Sequence, residues 1–218
     1  MGDTVAADFP LDQEGVWCDV HGQRQVAEPA LFLDRDGVLV EETGYLSRIE
    51  DIKIIPGGAA LVAQANRRGI PVIVVTNQAG IGRGYFGWQQ FRTVQDSISA
   101  SFADENASFD AVFACAHHAQ GKDDFAHPNH PARKPNPGMI TRAAKALTLD
   151  LSNSWLVGDK LIDVQTAKNA GLAGAMLVLT GYGATERDEA EKLKAPGFQV
   201  AIGKSIADAV TLPIFRKR

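Results

Sequence analysis

Five short apolar runs, Ala30 to Leu33, Pro71 to Val75, Asp110 to Cys115, Ser154 to Val157 and Ala175 to Leu179, each give way to polar residues. Runs of this length without polar alternation are strands buried on both faces, which is how a parallel sheet covered by helices reads. Helical spacing falls between them at about 57 to 68, 87 to 105, 138 to 148 and 161 to 170. The pattern predicts an α/β fold: a doubly wound parallel sheet with right-handed crossovers and helices on both faces. A further short strand is expected near Phe198 to Ile202, and a helix from Ser205.

The chain has 218 residues, 45% of them hydrophobic, which is ordinary for one α/β core. Residues 30 to 218 are read as that domain. Residues 1 to 29 lack clear periodicity and are read as an N-terminal extension packed on it through Phe9, Leu11, Val16 and Trp17. Two segments are too long for simple turns, from Asp36 to about Pro56 and from about 116 to 137. Loops of such length inside a compact domain are usually functional or ordered by something else. The end of the chain, Arg216, Lys217 and Arg218, reads as a solvated tail.

A formal net charge of -4 argues against affinity built on many polymer phosphates, so no nucleic-acid partner is expected. Cys18 and Cys115 are far apart and suggest no disulfide framework. The first residues lack the basic start and apolar stretch of a secretory signal, and no run reaches the roughly 20 apolar residues of a membrane helix. A cytoplasmic monomer without a membrane partner is expected.

Ligands of an open parallel sheet bind beyond the carboxyl ends of its strands. The first run ends in Asp34-Arg35-Asp36-Gly37, the second in Thr76-Asn77-Gln78, and the fourth in Gly158-Asp159-Lys160-Leu161-Ile162-Asp163. The alternation of an extended backbone turns Asp34 and Asp36 towards one site and sends Arg35 elsewhere. Adding Asp159 brings three carboxylates together, which needs a cation or a shared proton. Oxygen ligands without histidine suit Mg2+ better than zinc. Helix capping could employ one such aspartate, but it does not explain three converging clusters.

Hydrolysis of a phosphate monoester needs an in-line nucleophile, positive charge around the equatorial oxygens and a proton for the leaving group. Asp34 can attack phosphorus, Asp36 can act as acid and then base, and Thr76 and Lys134 can hold the oxygens. Alone, Lys134 would read as a surface lysine. Its place in Arg133-Lys134-Pro135, ahead of a helix start, joins it to the other clusters.

Taken in order, these residues resemble the four motifs of the haloacid dehalogenase-like (HAD) phosphatases: Asp34 to Val38, Thr76, Lys134, and Gly158-Asp159 with Asp163. The strings LDRDGV, VVTNQAGIGRG, CAHH, RKPNPGM and VGDKLIDVQTA are similar to the branch holding heptose bisphosphate and histidinol phosphatases. The likeness covers about residues 30 to 182. It implies no large cap domain, a sugar or polyol phosphate substrate, and Mg2+ held by Asp34, Asp159 and the backbone carbonyl of Asp36. It further implies a pocket lined by Glu42, Thr43, Gly44, Tyr45, Asn77, Gln78, Arg133 and Lys160, with Arg133 facing the remote phosphate of a bisphosphate. The expected activity is that of a heptose 1,7-bisphosphate 7-phosphatase working through an aspartyl phosphate. A histidinol-phosphate phosphatase is the nearest alternative. A polynucleotide end phosphatase or a non-catalytic phosphate-binding module would also fit the fold.

One departure stands out. This branch folds its long loop around zinc with a Cys-x-His pair followed by a Cys-x-Cys pair. Cys115 and His117 match the first, but His130 and Ala132 stand at the second. A Zn2+ site of Cys115, His117, His127 and His130 is the form that would replace it.

Overall fold

The computed structural model describes residues 9–22 and 25–216. Seven strands form one sheet: β1 (Trp17–Val20), β2 (Leu31–Leu33), β3 (Val72–Asn77), β4 (Ala111–Cys115), β5 (Trp155–Gly158), β6 (Gly174–Val178) and β7 (Gln199–Gly203). Their order is β1-β4-β3-β2-β5-β6-β7, and every pairing is parallel except that of β1 with β4. From β2 the chain runs outwards through β3 to β4, then crosses to β5 on the other side of β2. That reversal opens a crevice at the carboxyl end of β2, where the polar clusters lie.

Strand alternation sends successive residues into two cores. Leu31 and Leu33 enter one, with Val72 and Val74 of β3 and helices α1 (Gly58–Arg67) and α3 (Trp88–Ala103). Phe32 enters the other, with Ile73, Val75 and helices α4 (Gly138–Leu147) and α5 (Leu161–Asn169). The buried face of α3 is Trp88, Phe91, Val94, Gln95, Ile98 and Phe102, spacing that keeps one helical stripe on the sheet. Two further helices were not anticipated from periodicity: α2 (Ala79–Gly82), a single turn, and α6 (Gly183–Glu191), whose residues are mostly exposed. The expected helix from Ser205 is a 3-10 helix over Ile206–Thr211.

The extension contributes more than expected and less uniformly. Residues 17–20 form edge strand β1, too short to give a periodic signal. Val16 and Trp17 are buried, whereas Leu11 is exposed. Trp17 stacks among Phe9, Trp88 and Phe91, with ring centroids 5.9, 5.5 and 5.1 Å away. Lys217 and Arg218 lie outside the described residues, as do residues 1 to 8. Among the described residues no helix is long and apolar enough to cross a membrane.

Because Trp17 ties β1 to α3 through two aromatic contacts, Trp88 and Phe91, and also packs on Phe9, Trp17→Ala should destabilise the fold by about 3–5 kcal/mol in a denaturant titration. A loss under about 1 kcal/mol would show that β1 is a peripheral flap.

Candidate active site

At the centre of the crevice lies a buried ammonium. Lys134, only 3% exposed, reaches back from the loop between β4 and α4, and its three N–H bonds are all used. Nζ lies 2.6 Å from Asp163 Oδ1 and 2.9 Å from Asp34 Oδ1, and donates to the Val75 carbonyl at 3.0 Å. Burial alone would lower the pKa of this group, but Asp163 and Asp34 outweigh it and raise it, so Lys134 is charged. The backbone that carries it is clamped by Asn77: Oδ1 accepts from the Lys134 N–H, and Nδ2 donates to the Lys134 carbonyl, both at 3.1 Å.

Asp34, Asp159 and Asp163 each place a carboxylate oxygen within 4.8 Å of the others, and all three are buried. Asp163 also caps α5, accepting from the Lys160 N–H at 3.0 Å, so the capping role belongs to it. Asp159 Oδ2 accepts from the Tyr182 N–H at 3.0 Å, while Oδ1 is buried without a protein partner. An orphaned carboxylate oxygen beside a second carboxylate is the donor set a divalent cation fits. The approach is close enough to demand glycine. Gly37 has φ +84°, and a Cβ there would stand 2.3 Å from Asp159 Oδ2.

Protein groups alone hold these carboxyls above their ordinary range. Burial, chiefly, pushes Asp34 up to about 8 against the opposing pull of Lys134, with Asp163, Asp159 and Asp36 adding to the rise. Burial likewise raises Asp159 to about 6, against the Tyr182 N–H bond. Both shifts mark a site short of positive charge.

Asp36 turns to the opposite wall. The expectation that Arg35 points away is wrong: its guanidinium is fully buried, lies 5.3 Å from the Phe91 ring centroid, and grips the Asp36 carboxylate through Nε at 3.1 Å and Nη2 at 3.0 Å. The chain bends sharply after β2, so strict alternation ends before Arg35. Gln78 Nε2 donates to Asp36 Oδ2 and to Thr76 Oγ1, at 3.0 and 2.9 Å.

These groups open into a cavity of about 270 Å³ lined by Asp34, Asp36, Thr76, Lys134 and, further out, Glu42, Gly44, Tyr45, Asn77, Gln78, Arg133 and Lys160. Thr43 is exposed and is not among the lining residues. Lys160 Nζ pairs with Glu42 at 2.9 Å and sits 4.4 Å from the Tyr182 ring centroid. Tyr182 was missed by sequence reasoning, since its N–H and its ring act from beyond β6, in a segment without a recognisable pattern.

The histidine loop gathers but does not form a chelate. His117 and His130 stack with ring centroids 3.8 Å apart, and Cys115 Sγ lies 3.9 Å from His130 Nδ1. His117 Nε2 is committed to the Glu14 carbonyl, His130 Nδ1 to the Ala132 N–H and His127 Nδ1 to the Asn129 N–H. Among the described residues only the three aspartates bring one donor each within 4.8 Å of one another. Zinc bound by Cys115, His117, His127 and His130 is therefore without support.

Comparison with known proteins gives a consistent set of relatives. Residues 131–209 match the HAD-hydrolase-like family model. A D-glycero-beta-D-manno-heptose-1,7-bisphosphate 7-phosphatase of Mesorhizobium japonicum is 45% identical over 202 residues, 92% of this chain and 88% of the relative. The crystal structure of a HAD-like phosphatase from Mesorhizobium loti superposes with a TM-score of 0.81 at 43% identity, covering 90% of both chains. That of a D,D-heptose 1,7-bisphosphate phosphatase from B. bronchiseptica, complexed with magnesium and phosphate, has a TM-score of 0.71 at 29% identity, covering 82% of this chain and 94% of the other.

Lys134→Met leaves Asp34 and Asp163 buried without their counter-charge and should cost about 3–5 kcal/mol of stability in denaturant titrations. Unchanged stability would mean that the carboxylates hold a shared proton instead. Linkage gives a second expectation. A carboxyl whose pKa rises on folding stabilises the fold most below its unfolded value, near pH 4, and loses that contribution as pH rises through about 8 for Asp34 and about 6 for Asp159. A divalent cation competes with the proton, so the rise in Tm on adding Mg2+ should be larger at pH 8 than at pH 5. A rise independent of pH would exclude these carboxylates as the binding site.

Proposed function

The chain belongs to the HAD phosphatases, hydrolases of phosphate monoesters, and from that premise we propose that it is a Mg2+-dependent sugar-bisphosphate phosphatase acting through an aspartyl phosphate on Asp34. The observation that carries this reading is the buried pairing of Lys134 with Asp34 beside the unpartnered oxygen of Asp159. The nucleophile is thereby oriented and its surroundings await a cation.

Asp34 Oδ1 accepts from the Arg35 N–H at 2.7 Å and from Lys134, which leaves its second oxygen for in-line attack on phosphorus. The phosphorus–oxygen bond to Asp34 forms as the bond to the sugar oxygen breaks, and water then cleaves the aspartyl phosphate. Asp36 protonates the departing oxygen and later deprotonates that water. For donation its carboxyl must leave Arg35; Gln78 and Thr76 offer it neutral partners in the interval. Mg2+ would be held by Asp34, Asp159 and the Asp36 carbonyl, and supplies positive charge to the phosphoryl oxygens when bound. Thr76 and Lys134 are the protein's own contribution to holding those oxygens.

The substrate reading is heptose 1,7-bisphosphate hydrolysed at position 7. It is supported by the 45% identical relative bearing that activity and by Arg133 on the cavity wall, a cation beyond the reacting centre for a second phosphate.

Purified protein should release phosphate from heptose 1,7-bisphosphate faster than from heptose 7-phosphate or histidinol phosphate, and a chelator should abolish the activity until Mg2+ is restored. Asp34→Asn should lower kcat by at least about 10³-fold while leaving Tm nearly unchanged. Full activity in Asp34→Asn would overturn the covalent mechanism, and equal turnover of all three substrates would overturn the substrate assignment.

A further inference from the structure

Arg83, directly after α2, belongs to neither the catalytic set nor the pocket expected from the sequence. Half-buried, it donates from Nη1 to Tyr45 Oη at 2.6 Å, while its Nε is buried without a partner. Its Nη2 lies 3.1 Å from His118 Nε2. The His118 ring is oriented from its other side, because Nδ1 accepts the Gln120 N–H at 2.9 Å and therefore carries no proton. In the neutral ring the proton is then on Nε2, so two donors face each other across that 3.1 Å contact. Such an arrangement lacks an acceptor.

Arg133 is close by. Its Nη1 donates to the His117 carbonyl at 3.0 Å, and the charge of Arg83 contributes to lowering its pKa, after burial. Among the described residues no carboxylate is ion-paired with either guanidinium. Two guanidiniums without a carboxylate partner and an imidazole N–H stand next to the cavity wall, Arg133 on it and Arg83 and His118 behind its lining residue Tyr45, a set complementary to a multiply charged oxyanion.

We propose that Arg83, together with His118 Nε2–H and Arg133, forms the subsite for the non-reacting phosphate of a bisphosphorylated substrate. The proposal rests on the bisphosphatase reading above. It adds Arg83 and His118 as specificity-determining residues, with Tyr45 holding the Arg83 fork through its hydroxyl. A phosphate oxygen placed between Nη2 and Nε2 accepts from both donors and removes the conflict between them.

The test compares kcat/KM for a set of sugar bisphosphates, heptose 1,7-bisphosphate among them, with that for the matching monophosphates carrying only the hydrolysed phosphate. It uses the wild type, Arg83→Ala and Arg83→Gln; the glutamine keeps length and a donor but removes the charge, and Tm reports folding. The bisphosphate-to-monophosphate ratio should fall about 10- to 100-fold in both variants, the scale of a lost charge-assisted fork. An unchanged ratio, with both substrates losing equally, would make Arg83 a structural strap between loops and overturn the subsite. Equal turnover of bisphosphate and monophosphate by the wild type for every sugar would overturn it too. Preference for a bisphosphate other than the heptose, with the ratio falling in the variants, supports the subsite while defeating the substrate reading.

Discussion

Everything at this site is arranged around one buried ammonium. Lys134 Nζ joins the loop before α4 to the carboxylate after β2, to the cap of α5 and to strand β3 through the Val75 carbonyl. These segments lie on both sides of the topological switch, and only a charge with three short bonds satisfies all of them in a medium where an unpaired ion costs several kcal/mol. Asn77 secures the arrangement by taking both polar groups of the Lys134 backbone, so the lysine is located by its main chain as well as by its charge.

Around that centre the aspartates divide the labour by environment. Asp163 is spent on structure, with one oxygen capping α5 and the other on Lys134. Asp34 shares the same ammonium. Asp159, packed against Gly37, keeps one oxygen buried and unpartnered. One cation serves three carboxylates, and burial, reinforced by that excess of negative charge, holds the pKa values of Asp34 and Asp159 up. The outer cavity reverses the sign: Arg133 and Lys160 line it, with Glu42 ion-paired to Lys160. The site thus sets cationic side chains outside and a cluster of carboxylates within.

Much of this was legible because strand ends are legible. The apolar runs locate β2, β3 and β5, and the topology rule brings Asp34, Thr76 and Asp159 to one edge without knowledge of any contact. Arg35 was misread for the opposite reason: alternation predicts side-chain direction only while the backbone stays extended, and β2 ends at Leu33. The loop histidines illustrate the same limit, since spacing brings His117 and His130 together but says nothing about which ring nitrogens the neighbouring backbone has already taken. Tyr182 carried no local signal, and Arg83, though inside the VVTNQAGIGRG string, was given no role, because what they do depends on residues 23 and 38 positions away, Asp159 and Tyr45.

The sequence by itself determined the α/β class, the edge of the sheet where chemistry gathers, and the identity of the charged groups there, because burial and periodicity act over a few consecutive residues. Tertiary structure alone decided which carboxylate faces the lysine, which caps a helix and which keeps an open oxygen. It also decided that Arg35 binds Asp36, and that Arg83 and His118 meet as two donors. Those outcomes are set by distances of about 3 Å between segments far apart in the chain, where electrostatic and hydrogen-bond energies change steeply and sequence spacing has no purchase.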